Sequence, residues 1–163
     1  MNIVFNADEI FAMAVQIERN GQAFYQKAAD IQSDETARAY FMNLVDMEHD
    51  HVATFQTMRE TFADSGESMD LYDEGGQYLA AVADGHHVEG SPSVTATLTG
   101  NETLEEILRM AIGLEKDAVL FYIGLKDVVP EGLGREKVDF IIAEEKQHLV
   151  TLSEELRKLK AAD

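Results

Sequence analysis

Two short segments of this chain carry the same pair of side chains, a glutamate followed three residues later by a histidine. Glu48 and His51 lie in DMEHDHV, and Glu145 and His148 lie in AEEKQHL. Residues three apart share one face of a helix, and in both segments that face also carries the apolar residues at helical spacing. An apolar helix face turns toward the core, where a charged group is costly unless it is paired or bound to a metal. We therefore expect both pairs to be metal ligands.

A further glutamate precedes each pair at the same distance. Glu18 lies 30 residues before Glu48, and Glu115 lies 30 residues before Glu145. One offset of 97 residues relates each member of the first set to its counterpart in the second. This internal repeat indicates two copies of one helical hairpin, related by a pseudo-two-fold axis. The same offset aligns Ile17-Glu18-Arg19 with Leu114-Glu115-Lys116, Phe24-Tyr25 with Phe121-Tyr122, and Thr54 with Thr151.

Four carboxylates and two imidazoles in one apolar interior indicate a two-metal centre. Carboxylates gathered there would repel one another and lose their hydration. Two divalent cations would balance the four negative charges, and neutral imidazoles would complete the ligand shells. Such mixed ligation suits iron or manganese, with zinc as a competitor, and paired ions of this kind lie about 3.5–4 Å apart. The alternative is a set of buried acids satisfied by other polar groups. The predicted ligands are Glu18, Glu48, His51, Glu115, Glu145 and His148.

Four long helices must position these residues, and apolar periodicity predicts them. Asn6 and Ser33 are candidate N-caps of the first two, and Thr103 with Glu106 forms a candidate capping box before the third. The predicted helices span about residues 7–31, 34–63, 104–128 and 132–160.

The connections between these helices predict their arrangement. Short turns join the first helix to the second and the third to the fourth, whereas a long crossover separates the two hairpins. A helix of 25 residues is about 37 Å long, so the crossover must climb that length; its residues 77–84 could form a short extra helix. We expect an all-α four-helix bundle of two helical hairpins with one long crossover connection, as in the ferritin-like class. The single domain, 1–163, divides into hairpin 1 at about 7–63, the crossover at about 64–102 and hairpin 2 at about 103–161.

The composition of the chain limits which binding partners and which cellular compartment are expected. The chain has 163 residues, no cysteine and a net charge of −18. A surface this acidic repels phosphate backbones and anionic lipids, so we expect neither nucleic acid nor membrane as a partner. The absence of cysteine excludes disulfides and cysteine-ligated iron. The sequence contains no run of about 18 apolar residues, so we expect no membrane span. The first ten residues also lack a signal-peptide pattern, and we therefore expect a cytoplasmic protein.

At its six predicted ligands the chain resembles the rubrerythrin branch of the ferritin-like superfamily, and the resemblance covers both hairpins. It implies that Glu48 and Glu145 bridge the two metals. It also implies terminal ligation by Glu18 with His51 and by Glu115 with His148. Two iron ions are then the expected cofactor, with manganese or zinc as alternatives.

Two departures from that family bear on the chemistry. Typical rubrerythrins carry a rubredoxin domain with a four-cysteine iron site, and this chain has no cysteine. Electrons would therefore come from an external donor, such as a rubredoxin-like protein. Rubrerythrins also carry an extra glutamate three residues after the ligand of the third helix, where this chain has Ala118. The six-ligand set is closer to the symmetric centres of bacterioferritin-like proteins.

Several residues near the predicted ligands allow two interpretations each. Tyr25 and Tyr122 lie seven residues after Glu18 and Glu115, and each is either a catalytic hydroxyl beside the ligands or a core aromatic with a satisfied hydroxyl. Glu144 is either solvated or a partner that orients a ligand histidine. The remaining candidates are His49 and Asp50, which we expect to be solvated, and His86-His87, which are either a secondary metal site or solvated.

Three functions fit these features. The first is a di-iron oxidoreductase that reduces hydrogen peroxide or dioxygen in oxidative-stress defence. The second is a ferroxidase or iron-handling protein, which the acidic surface favours. The third is a non-catalytic helical module stabilised by its metals. The resemblance also implies a homodimer, because small bundles of this family often pair.

Overall fold

A computed structural model describes residues 5–84 and 98–162 of the chain, and these residues form five helices and no strand. Among them, no helix is both long enough and apolar enough to cross a lipid bilayer. The all-α prediction is therefore confirmed, as is a short helix within the crossover. The helices are α1 (Ala7–Asp30), α2 (Glu35–Ser65), α3 (Glu74–Asp84), α4 (Leu104–Val128) and α5 (Arg135–Ala162).

One capping box lies at the start of the first helix of each hairpin. At α1 the Glu9 backbone N–H donates to Asn6 Oδ1 over 2.9 Å, and the Asn6 N–H donates to the Glu9 carboxylate over 2.8 Å. Thr103 and Glu106 exchange the same two bonds at the start of α4. Each box satisfies backbone donors that the first helical turn leaves unpaired, so both predicted starts are confirmed.

The predicted cap of α2 was wrong by one residue. Asp34, not Ser33, is the N-cap, and its side chain accepts from the Ala37 backbone N–H over 2.8 Å. A carboxylate at this position also interacts favourably with the positive end of the helix dipole. α2 then continues to Ser65 and ends at Gly66, whose φ of 72° stops the right-handed helix.

The fourth long helix begins three residues later than predicted. Gly132 and Gly134 have φ values of 82° and 109°. These left-handed conformations cannot belong to a right-handed helix, so α5 starts only at Arg135. It then runs to Ala162, beyond the predicted end at residue 160.

Ion pairs show that the two long helices of each hairpin run antiparallel. In the first hairpin, Arg59 near the end of α2 pairs with Asp8 at the start of α1. In the second, Lys126 near the end of α4 pairs with Asp139 near the start of α5. The hairpins meet through α1 and α4, and α3 packs against α4. Residues 85–97, which include His86 and His87, lie outside the described part of the chain.

Each long helix passes through two separate apolar clusters. One cluster lies around Phe11, Phe55 and Phe121, and the other around Phe24 and Phe41. The predicted metal ligands lie between the two clusters along every helix. In α1, for example, Glu18 lies between a group of the first cluster and a group of the second, which are Ile10, Phe11, Met13, Ala14 and Val15 and then Phe24, Tyr25, Ala28 and Ala29. The fold therefore places a polar layer in the middle of an apolar bundle.

Candidate metal centre

All six predicted ligands are buried in this middle layer. Their exposed fractions lie between 1% and 3%, and within the described residues no other charged or histidine side chain is as completely buried. Burial of this many ionisable groups is costly unless they pair with opposite charge. The six residues are Glu18, Glu48, His51, Glu115, Glu145 and His148.

The ligands form two groups of four that share two members. In each group, one ligand atom from every residue lies within 4.8 Å of the others. We call the group of Glu18 and His51 the His51 site, and the group of Glu115 and His148 the His148 site. Both sites contain Glu48 and Glu145. The two sites follow the pseudo-two-fold repeat of the sequence.

The shared glutamates divide their oxygens between the two sites. Glu145 Oε1 lies 2.9 Å from His51 Nδ1, and Glu145 Oε2 lies 2.8 Å from His148 Nδ1. Glu48 Oε2 and Oε1 each lie 3.8 Å from the same two nitrogens, respectively. A carboxylate with one oxygen at each of two adjacent sites can bridge two cations.

The unshared glutamates complete each site from one side. Glu18 Oε2 lies 3.2 Å from His51 Nδ1, and Glu115 Oε1 lies 3.4 Å from His148 Nδ1. The two imidazole rings are nearly parallel, with centroids 6.1 Å apart and planes inclined by 25°. Both rings therefore present the same nitrogen, Nδ1, to the centre.

The pKa values show that this layer requires positive charge. Burial alone would lower the pKa of His148, but the carboxylates of Glu115 and Glu145 raise it to about 10. His51 behaves in the same way, and the carboxylates around it raise its pKa well above the usual range. Burial, together with the charges of Glu145 and Glu48, outweighs the opposing effect of His148 and raises the pKa of Glu115 to about 8. Protons or metal cations can supply this positive charge.

The two shared carboxyl groups differ in their proton affinity. Burial and the charge of Glu18 raise the pKa of Glu48 well above its usual range. Burial acts in the same direction on Glu145, but the nearby imidazoles of His148 and His51 lower its pKa to about 2. Glu145, which faces both histidines, is therefore the carboxylate that stays ionised.

Unpaired polar atoms show that the residues fit a pair of metal ions. Within the described chain, neither oxygen of Glu145 and neither ring nitrogen of His148 makes a hydrogen bond of normal geometry. Buried polar atoms are rarely left without a partner. Carboxylate oxygens and imidazole nitrogens are the donors that iron, manganese and zinc accept. The donor set therefore suits one cation at each site.

The two predicted tyrosines contact the centre from the opposite hairpin. The Tyr25 hydroxyl donates to Glu115, and the Tyr122 hydroxyl donates to Glu18. Burial, together with the charge of the carboxylate that each contacts, raises both tyrosine pKa values well above 10. Each tyrosine is thus a core aromatic whose protonated hydroxyl is satisfied by a predicted ligand. A catalytic role for either stays a prediction.

Glu144 contacts the centre, although the sequence left its role open. Its Oε2 lies 3.0 Å from His51 Nε2, and its side chain is 29% exposed. In the sequence, the one signal for this contact was the position of Glu144 next to the ligand Glu145. The internal repeat offered no second signal, because the equivalent residue of the first hairpin is Met47, which is not an acid. His49 and Asp50 are exposed, as expected.

Gly21 also contributes to the centre, although the sequence patterns predicted no role for it there. A Cβ at this position would lie 3.3 Å from both Cδ and Oε2 of Glu48. The glycine therefore lets α1 approach a shared carboxylate closely. A glycine inside a helix, three residues after Glu18, was the available signal. Its counterpart in the repeat is Ala118, which is buried in α4.

The arrangement of helices and buried residues has a counterpart among solved structures. No protein-family model matches the chain, and no curated protein does. The chain is similar to a solved structure of a Thermotoga maritima protein that is provisionally described as a ferritin-like diiron-carboxylate protein. The match covers 94% of this chain and 95% of the Thermotoga chain, with 25% sequence identity and a TM-score of 0.69. The fold is ferritin-like. The comparison confirms the predicted fold class and supports a diiron-carboxylate type of centre.

Proposed function

We propose that this protein is a di-iron oxidoreductase of the rubrerythrin branch that reduces hydrogen peroxide or dioxygen with electrons from an external donor. The observation that carries the proposal is the division of the Glu145 oxygens, one beside each histidine. This geometry suits two adjacent ions better than a single structural one. When bound, two ferrous ions would supply the two electrons needed to convert hydrogen peroxide and two protons into two water molecules.

The residues around the centre have distinct tasks in this proposal. Glu18 with His51 and Glu115 with His148 would each hold one ion, and Glu48 and Glu145 would contribute to both sites. The tyrosine hydroxyls keep two carboxylates oriented from across the bundle. The apolar clusters on either side exclude water from the layer. At position 118 an alanine stands where rubrerythrins have a further carboxylate, which leaves the ligand set at six.

The proposed partners follow from the same features. We propose a rubredoxin-like protein as the external electron donor, because the 163 residues contain no cysteine that could hold a rubredoxin-type iron. We further propose a cytoplasmic homodimer. A net charge of −18 supports the proposal that neither nucleic acid nor a membrane surface is a partner.

A second candidate function is ferroxidase activity with iron storage or delivery. The acidity of the chain favours it, because a negative surface raises the local concentration of ferrous ions. This function ends with oxidised iron and requires no reductant. Reductive turnover therefore distinguishes the two candidates.

The test begins with the full chain loaded anaerobically with ferrous iron. Bound metal is quantified, one equivalent of hydrogen peroxide is added to one sample and dioxygen to another, and ferric absorption is recorded. We expect two irons per chain, prompt oxidation, and repeated turnover when a reductant is supplied. A single turnover with iron accumulating beyond two ions per chain would favour the ferroxidase.

Two variants sharpen this test. The double variant Glu48→Ala/Glu145→Ala removes both shared carboxylates and should abolish metal binding. Glu154→Ala, an exposed position on the same helix as Glu145, should bind and oxidise iron like the parent. A parent protein that binds two irons but ignores both peroxide and dioxygen contradicts the oxidoreductase and leaves a structural metal centre.

A further inference from the structure

We propose that Glu144 positions His51 and thereby makes the two metal sites unequal, with the His51 site binding its ion more tightly than the His148 site. The inference rests on the proposed two-metal function. It concerns a difference between two halves that the sequence repeat otherwise makes equivalent. The six predicted ligands themselves match across the repeat, so any inequality must come from residues around them.

The two histidines differ at the nitrogen that faces away from the centre. His51 Nε2 lies 3.0 Å from the Glu144 carboxylate. The corresponding nitrogen of His148 is buried and has no hydrogen-bond partner within the described residues. Both histidines are equally buried, at 3% exposed, so solvent cannot make up this difference.

The repeat explains why His148 lacks this partner. An offset of 97 residues places Met47 where Glu144 stands in the second hairpin. A thioether is a weak hydrogen-bond acceptor, and the Met47 sulfur lies 3.7 Å from the side-chain nitrogen of Asn43. The first hairpin therefore offers no carboxylate at the position from which Glu144 reaches His51.

This contact controls how well an imidazole can bind a cation. A histidine that binds metal through Nδ1 must carry its proton on Nε2. A carboxylate that accepts this proton's hydrogen bond fixes the tautomer and the ring orientation and makes the ligand more basic. Loss of such a partner typically costs about 10–100-fold in metal affinity. His51 has this support and His148 does not.

The experiment is an anaerobic titration of the metal-free full chain with Co²⁺, competed against a chelator and followed by visible absorption. We expect two binding constants that differ by about 10-fold or more. His51→Ala should remove the tight phase, and His148→Ala should remove the weak phase, which assigns each constant to its site.

Three variants then test the role of Glu144. Glu144→Ala should weaken the tight phase by about 10–100-fold and leave the weak phase unchanged. Glu144→Gln, which keeps an acceptor oxygen without the charge, should have a smaller effect. Met47→Glu should strengthen the weak phase. Glu154→Ala, at an exposed position of α5, is the matched control and should leave both constants unchanged.

The outcomes separate this inference from the proposed function. A parent protein that fails to bind two ions overturns the two-metal function, and the inference with it. Two ions bound with equal constants overturn the inference alone, as does an equal loss at both sites in Glu144→Ala. Circular dichroism of each variant checks folding, and if Met47→Glu does not fold, the Glu144 pair decides the question.

Discussion

At the residue scale, the centre depends on buried hydroxyl groups that donate hydrogen bonds to its glutamates. Tyr25 and Tyr122 each donate a hydrogen bond to a glutamate of the other hairpin. Because both tyrosines are buried, with exposed fractions of 1% and 0%, water cannot replace a lost hydroxyl. The sequence placed these tyrosines on the ligand face but could not show which glutamate each would meet.

We predict that Tyr25→Phe and Tyr122→Phe destabilise the metal-free protein by similar amounts, about 1.5–3 kcal/mol each. Each change removes a donor from a buried carboxylate, and the repeat makes the two losses equivalent. Urea denaturation of the variants measures the effect. Tyr40→Phe is the control, because its half-buried hydroxyl makes only a long bond of 3.4 Å to Thr151. If Tyr40→Phe lowers the free energy of unfolding as much as Tyr25→Phe does, the hydrogen bond to the carboxylate is unimportant.

At the element scale, α1 approaches the centre through a single glycine. Gly21 gives Glu48 the space that a Cβ would crowd at 3.3 Å. Glycine inside a helix costs about 1 kcal/mol relative to alanine. The glycine therefore lowers the intrinsic stability of α1 but leaves space for the Glu48 carboxylate.

We predict that Gly21→Ala weakens metal binding without lowering the stability of the metal-free protein. The helix gains up to about 1 kcal/mol from alanine, while Glu48 must shift by a few tenths of an ångström. Chelator competition and urea denaturation measure the two effects separately.

Gly113→Ala in α4 is the matched control for this change. A Cβ there meets no atom within 4 Å, so this variant should gain helix stability and keep its metal affinity. If both glycine variants bind metal like the parent, Gly21 has no role at the centre.

At the scale of the whole molecule, the charge of the centre couples folding to pH. The pKa of His148 rises to about 10 and that of Glu115 to about 8. The folded, metal-free protein therefore holds protons that the unfolded chain releases. His148 makes its full contribution to folding stability below its unfolded pKa of about 6.5, and this contribution is lost as the pH rises to about 10. Glu115 acts in the same direction between its ordinary pKa of 4.5 and its folded pKa of about 8.

We predict that the metal-free protein loses stability as the pH rises from about 6.5 to 10, the interval between the unfolded and folded pKa values of His148. With excess divalent metal this loss of stability should largely disappear, because metal binding displaces these protons, so that above pH 6.5 the folded and unfolded chains hold nearly the same number of them. Urea denaturation across this interval, with and without metal, measures both slopes. The exposed variant His49→Gln should behave like the parent. A metal-free protein that gains stability over this interval would contradict the charge balance described here.

Local patterns were sufficient for most of the architecture and for the predicted ligand set. Helical periodicity and capping boxes are properties of neighbouring residues, so the four long helices and the six converging side chains could be predicted from the sequence. The errors were at helix ends. Asp34 replaced Ser33 as the cap, and Gly132 and Gly134 delayed the start of α5, because equivalent cap types compete and a glycine does not reveal its own φ.

The sequence by itself determined that two copies of one Glu and Glu-x-x-His set face a common core, because the spacing within each helix and the 97-residue offset are one-dimensional. Only the tertiary structure decided how the halves meet. The contacts of Tyr25 with Glu115, of Glu144 with His51 and of Gly21 with Glu48 each join different helices. Such contacts depend on the distance and rotation between packed helices, which no pattern within one helix contains.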